Sequence, residues 1–130
     1  MIINRSIDVE EAIRVSLGEY MQTYVKPLPA NFTVPSVEIT AVGGSEMDTI
    51  DTFDVTLDSR AEHEAEAYEN LRNAIGIIIE IAKSQATALR VVNVNSLGSW
   101  GKDPVRPDLA MCSARLRVIA HVETVEVQKL

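Results

Sequence analysis

The stretch Ile50-Asp51-Thr52-Phe53-Asp54-Val55-Thr56-Leu57-Asp58-Ser59-Arg60-Ala61-Glu62 changes its structural period part way along. Up to Ser59, Phe53, Val55 and Leu57 alternate with Asp54, Thr56 and Asp58, which puts apolar and acidic side chains on opposite faces of a strand. Ser59 and Glu62 then have the S-x-x-E spacing of a capping box. Glu62, Glu64 and Glu66 fall in the first turns of the helix this predicts, where the helix dipole favours carboxylates. The helix is expected to reach about Ser84. Its second half, with Ala74, Ile75, Ile77, Ile78, Ile79, Ile81 and Ala82, leaves almost no polar face and calls for cover on more than one side, from the domain or from a neighbouring subunit. Gly76 in its middle costs about 1 kcal/mol relative to alanine and reads as a point of close approach by the sheet or another helix.

Upstream, Val34 to Val42 places Val37, Ile39 and Ala41 on one side and Glu38 and Thr40 on a wet side, before Gly43-Gly44-Ser45 breaks the pattern. With the strand beginning at Ile50 this predicts an antiparallel hairpin. From Asp8 to Tyr24 the residues Val9, Ile13, Leu17, Tyr20 and Tyr24 recur at helical spacing, Asp8 and Glu11 form a capping pair, and Pro27 forbids continuation. Downstream, Leu89 to Val94 reads as a third strand. Leu97 to Asp108, with Gly98, Gly101, Pro104 and Pro107, reads as an irregular loop. Met111 to Val122 reads as a long half-buried strand in which Cys112, Ala114, Leu116, Val118, Ala120 and Val122 alternate with Ser113, Arg115, Arg117, Ile119 and His121. The expected fold is α+β, an antiparallel sheet of about four strands with two helices on one face, in the order α-β-β-α-β-β. The 130 residues show no repeat or linker, so a single domain over residues 1–130 is expected.

A hydrophobic fraction of 46% with 24% charged residues is that of a globular chain, not of a disordered or collagen-like one. Twelve basic against nineteen acidic residues give a net charge of −7, which disfavours nucleic acid or an anionic membrane as a simple electrostatic ligand. The single cysteine, Cys112, has no internal partner, which points to a reducing compartment, and its place among inward-facing residues predicts an inert thiol. Met1-Ile2-Ile3-Asn4-Arg5 has no apolar signal core, and Glu80 ends the run Ile77-Ile78-Ile79, so a soluble intracellular chain is expected.

No catalytic or metal constellation emerges. His63-Glu64 begins a zincin helix but Ala67 stands where the second histidine is required. Gly98, Gly101 and Lys102 are too closely spaced for a phosphate loop, and Asp103 replaces its magnesium-binding hydroxyl. Asp48, Asp51 and Asp54 lack the glycine and terminal glutamate of a calcium loop. His121 shares a polar strand face with Arg115 and Arg117 and reads as solvated. No catalytic residue, metal ligand or cofactor is therefore expected. What stands out is charge asymmetry: nine acids and only Arg60 as a base between Glu46 and Glu69, against five bases (Arg90, Lys102, Arg106, Arg115, Arg117) with Asp103 and Asp108 from Arg90 to Arg117. Two readings compete, a pair of solvated faces or a heterologous contact between unlike surfaces of adjacent subunits. Trp100, in a Gly/Pro loop, is either an interface anchor or a lid on its own core.

Three phrases carry a resemblance: Pro35-Ser36-Val37-Glu38-Ile39-Thr40-Ala41-Val42-Gly43-Gly44 entering an acidic loop, Asp54-Val55-Thr56-Leu57-Asp58-Ser59-Arg60-Ala61-Glu62 from strand to helix, and the Trp and Pro loop Ser99 to Asp108 before Ala114-Arg115-Leu116-Arg117-Val118. In this order and at this length the chain resembles the tail terminator proteins of long-tailed bacteriophages and prophages. The resemblance implies a virion structural protein of the head-proximal tail end, assembled in the host cytoplasm, and not an enzyme. It would form a homo-oligomeric ring, commonly a hexamer, that caps the tail tube protein, ends its polymerisation and meets the head completion or connector protein. DNA would pass through without being specifically bound, and no membrane or cofactor would be involved. Gly43, Gly44, Ser45, Glu46, Met47 and Asp48 become the candidate tube-contact loop. Trp100, Arg106, Arg115 and Arg117 become candidate inter-subunit residues, and Asp54, Asp58, Glu62 and Glu66 a candidate acidic lumen. The alternatives are another phage head-to-tail joining protein, or a small oligomeric enzyme with an anion site of His121, Arg115 and Arg117 at a subunit interface.

Overall fold

The computed structural model describes residues 1–46 and 50–130. Along the chain run β1 (Ile2–Arg5), α1 (Val9–Gly18), β2 (Thr23–Val25), β3 (Ser36–Glu46), β4 (Ile50–Ala61), α2 (Glu64–Ser84), β5 (Leu89–Lys102), β6 (Ala110–His121) and β7 (Glu123–Glu126). Five strands make one mixed sheet in the order β2-β3-β4-β6-β5, and β1 and β7 make a separate two-stranded sheet. The molecule is α+β with two helices, but the expected sheet of about four antiparallel strands in the order α-β-β-α-β-β is corrected on number, direction and order. The three strands it omits have only three or four residues each, too few to show a period. Their partners define them: β2 lies parallel to β3 from Thr23↔Val37 to Val25↔Ile39, and β1 lies antiparallel to β7 from Ile2↔Glu126 to Arg5↔Glu123.

Two glycine segments expected to be breaks are strand. Strand β3 continues through Gly43 and Gly44 to Glu46, with a bulge between Ala41 and Gly43. A Cβ on Gly44 would lie 2.2 Å from the Thr52 carbonyl oxygen, so glycine lets the hairpin stay closed there. Strand β5 runs through Gly98 and Gly101 to Lys102, and the loop shrinks to residues 103–109. Register shifts at Leu89/Val91, Val94/Ser96 and Leu97/Ser99 absorb the irregularity, and Gly98 takes the left-handed φ of 86° that the last one requires.

The helices are displaced too. The Asp8 side chain caps α1 by accepting from the Glu11 amide at 3.1 Å, but the helix ends at Gly18 rather than Tyr24. Tyr24 belongs to β2, with its hydroxyl accepting from the Thr33 amide at 3.1 Å. The Ser59–Glu62 capping box does not form, because Ser59 stays in β4 and donates its hydroxyl to the Ala67 carbonyl at 2.8 Å. His63 occupies the N-cap of α2 without a side-chain capping bond.

Both helices pack against each other and against the sheet. Between them lies the core: Val9, Ile13 and Leu17 of α1, Leu71, Ala74 and Ile78 of α2, and the inward rows Val37 and Ile39, Val55 and Leu57, and Cys112 to Ala120 of β3, β4 and β6. Asp51, in register with Ala120, is buried on this same face. The β1–β7 ribbon lies apart and is tied at its end by the N-terminal ammonium donating to the Val127 carbonyl at 3.0 Å.

Candidate functional site

The second face of the sheet has no helix over it. Register puts Thr52, Asp54, Thr56 and Asp58 of β4 beside Ile119, Arg117, Arg115 and Ser113 of β6. Opposite charges therefore meet on neighbouring strands. The Arg117 guanidinium donates to Asp54 Oδ1 at 3.4 Å, and the Ser113 hydroxyl donates to Asp58 Oδ1 at 2.6 Å. The sequence separated an acidic stretch from a basic one, whereas folding interleaves part of each on one open surface.

One end of that face is roofed. Glu38 and Thr40 were expected on a wet side, yet each is only 8% exposed. The segment between β2 and β3 brings Phe32 against Arg60, and the 103–109 loop brings Asp103. Buried Arg60 donates to Glu38 at 3.0 Å and to Asp103 at 2.9 Å, with its guanidinium 5.7 Å from the Phe32 ring centre. Arg106 lies 5.5 Å from the same ring and pairs with Asp108 at 3.1 Å. Two carboxylates share one cation here, and the Val105 amide gives Asp103 Oδ1 a further bond at 3.2 Å. The cluster pins both loops to the sheet. Sequence gave it a weak signal only, because Arg60 and Asp103 are forty-three residues apart.

The remaining expected site residues scatter. Of the tube-contact candidates, Gly43 to Glu46 lie at the end of β3, and Met47 and Asp48 lie outside the described residues. Glu62 follows β4 and Glu66 sits in the first turn of α2, so they do not join Asp54 and Asp58 on the open face. Of the interface candidates, Arg115 and Arg117 are on the open face, Arg106 is in the roofing loop, and Trp100 is on the helix side of β5 opposite Cys112. His121 sits at the far end of β6 opposite Ile50. The recess on this face, about 520 Å³ between Gly44, Thr52, Asp54, Arg117 and Ile119, takes in neither Arg115 nor His121. Burial pushes the Cys112 thiol up, and the Glu64 carboxylate acts in the same direction, so the thiol stays protonated and unreactive.

Two apolar features were foreshadowed only in part, by Trp100 and by the apolar second half of the second helix. On the helix side of edge strand β5, Val94, Leu97 and Trp100 are 42%, 48% and 47% exposed, with the Trp100 ring 4.6 Å from the ring of Tyr68. Across α2, where the chain leaves α1, Tyr20 and Met21 border a groove of about 830 Å³ that runs along Asn70, Asn73, Gly76, Ile77 and Ile81. Gly76 was expected to admit a close neighbour, but a Cβ there would meet nothing within 4 Å. Neither the sheet nor α1 uses the space.

Among the described residues no group of three or more histidine, cysteine, aspartate or glutamate side chains is placed to hold a metal ion, and no helix is long and apolar enough to cross a membrane. No protein-family model matches the chain, and no curated protein matches it.

Proposed function

We propose that this chain is a virion structural protein of the tail terminator kind, a ring that caps a phage tail tube, stops its polymerisation and offers the head-joining surface. The observation that carries the reading is the open sheet face. It is a wall of Thr, Asp, Ser and Arg side chains in which Arg117 is paired with Asp54 and Ser113 is bonded to Asp58 across the strands, and its recess takes in neither Arg115 nor His121. Such a wall suits a passage that DNA crosses without sticking. Carboxylates repel phosphate, and a guanidinium already held by Asp54 is a poorer phosphate ligand than a free one. The net charge of −7 supports the same reading, as do the three sequence phrases. The acidity of the passage rests on Asp54 and Asp58 of β4. Glu62 and Glu66 have no part in it.

The alternative of an interface enzyme loses support from the spread of His121, Arg115 and Arg117 along one strand. The test is direct: tail tube protein polymerising in vitro is mixed with the purified chain, and tube lengths are measured by negative-stain electron microscopy. Short tubes with a density at one end are expected. Tubes of unchanged length with bare ends at saturating protein contradict the proposal.

A further inference from the structure

We infer that the groove floored by Gly76 receives the Val94–Leu97–Trp100 row of a second copy of this chain, a head-to-tail contact that rests on, and gives a location to, the ring proposed above. Three observations converge on it. The first is Gly76 itself. Glycine inside a helix costs about 1 kcal/mol relative to alanine, and this one is repaid by no contact within the molecule, since the space above it is empty. A glycine floor makes sense where a bulky side chain from elsewhere must come close to the helix backbone.

The second is that the row and the groove cannot meet inside one molecule. Strand β5 is one edge of the five-stranded sheet, whereas α1 packs on β2 and β3 at the other edge, and the body of α2 separates the two features. Opposite placement of unlike patches is the requirement for a heterologous contact, which closes into a ring when the rotation allows. The bulges of β5 interrupt its outer edge and disfavour continuous backbone pairing with another strand, which leaves side chains as the means of attachment.

The third is chemical fit. Trp100 is the kind of side chain that anchors interfaces, and a groove bordered by Tyr20, Met21, Ile77 and Ile81 offers it an apolar seat. The groove's own charges are balanced, because Arg72 and Glu80 both line it and each is ion-paired along α2, to Glu69 and Lys83, so the apolar wall is what the row meets. Asn70 Nδ2, a buried nitrogen without a hydrogen-bond partner, lies in the groove wall, where a docked segment can supply an acceptor.

The experiment uses two single variants of the full chain, Leu97→Cys and Gly76→Cys, at millimolar concentration with a short bis-maleimide; buried Cys112 is a silent background. The contact predicts a covalent dimer when the two variants are mixed, at least tenfold more abundant than when either is treated alone. Leu97→Cys coupling to itself as readily as to Gly76→Cys, or no dimer in any mixture, overturns the inference. A third variant, Gly76→Trp, whose Cβ would meet nothing within 4 Å, puts an indole into the groove and should abolish the coupling of Leu97→Cys to a cysteine at Ile81 (I81C) carried on the same filled chain. Persistence of that coupling also overturns it. Tube capping in the preceding assay without the 97–76 dimer retires this contact alone, whereas the dimer without capping retires the terminator reading and leaves the contact standing.

Discussion

The two faces of the five-stranded sheet are stabilised by different physics. The helix side is dry and aliphatic. Leu57, Leu116 and Val118 are fully buried there against α1 and α2, and shape and area set the energy. The other side is mainly polar, with Val91, Met111 and Ile119 among its hydroxyl and charged side chains, open over most of its length, and closed at one end by a single cation between two carboxylates. A stray substitution on the first face leaves a cavity. On the second it leaves either almost nothing or an uncompensated buried charge, according to whether it falls on the open part or under the roof.

That contrast can be broken at its strongest point by Arg60→Ala, which strands Glu38 and Asp103 in a buried site. A loss of about 4 kcal/mol is expected in a urea melt, together with faster proteolysis of the 103–109 loop. A loss below about 1 kcal/mol would mean that the roof is solvated. Leu57→Ala, on the dry face, should cost about 3 kcal/mol through transfer and cavity terms and leave the loops protected. Gly76→Ala should act in the opposite direction, stabilising the isolated chain by about 1 kcal/mol and raising Tm by about 4 °C. A lower Tm would show that the space above the helix is used within the molecule.

Smaller effects sharpen the open face. Asp54→Lys with Asp58→Lys removes one exposed ion pair and one hydroxyl bond, so folding stability should change by less than about 1 kcal/mol. In assembled tails the same variant should slow DNA ejection while tail length stays normal; unchanged ejection kinetics would remove these residues from the passage. The smallest effect belongs to Cys112. Its pKa is raised in the folded state, so its contribution is fully present below the unfolded thiol value of about 8.5 and is lost as pH rises towards the folded value. A Cys112→Ala variant should therefore lose less stability between pH 8 and 10 than the parent does, measured by denaturant melts at each pH.

How far the sequence could be read follows from the range of each determinant. The β3–β4 hairpin, the apolar rows of β4 and β6 and the bulk of α2 rest on local periodicity, and all were visible. Strands β1, β2 and β7 were not, because a three- or four-residue strand is specified by its partner rather than by itself. The glycine runs misled for a related reason: Gly44 and Gly98 end a strand when judged alone, but here they allow close backbone approach and a bulge inside one. The Glu38–Arg60–Asp103 cluster joins three distant segments and turned an expected wet face into a buried one. Of the site residues, Asp54 and Arg117 were singled out for opposite surfaces, and only the register shows them to be neighbours.

The account stands most directly on how copies surround a passage, and an electron cryo-microscopy reconstruction of the protein on the end of a tail tube measures that. It should show a closed ring in which each β5 edge meets the α1 side of its neighbour and the Asp54–Arg117 face lines the lumen. A single copy at the tube end, or a ring with that face turned outward, would contradict it.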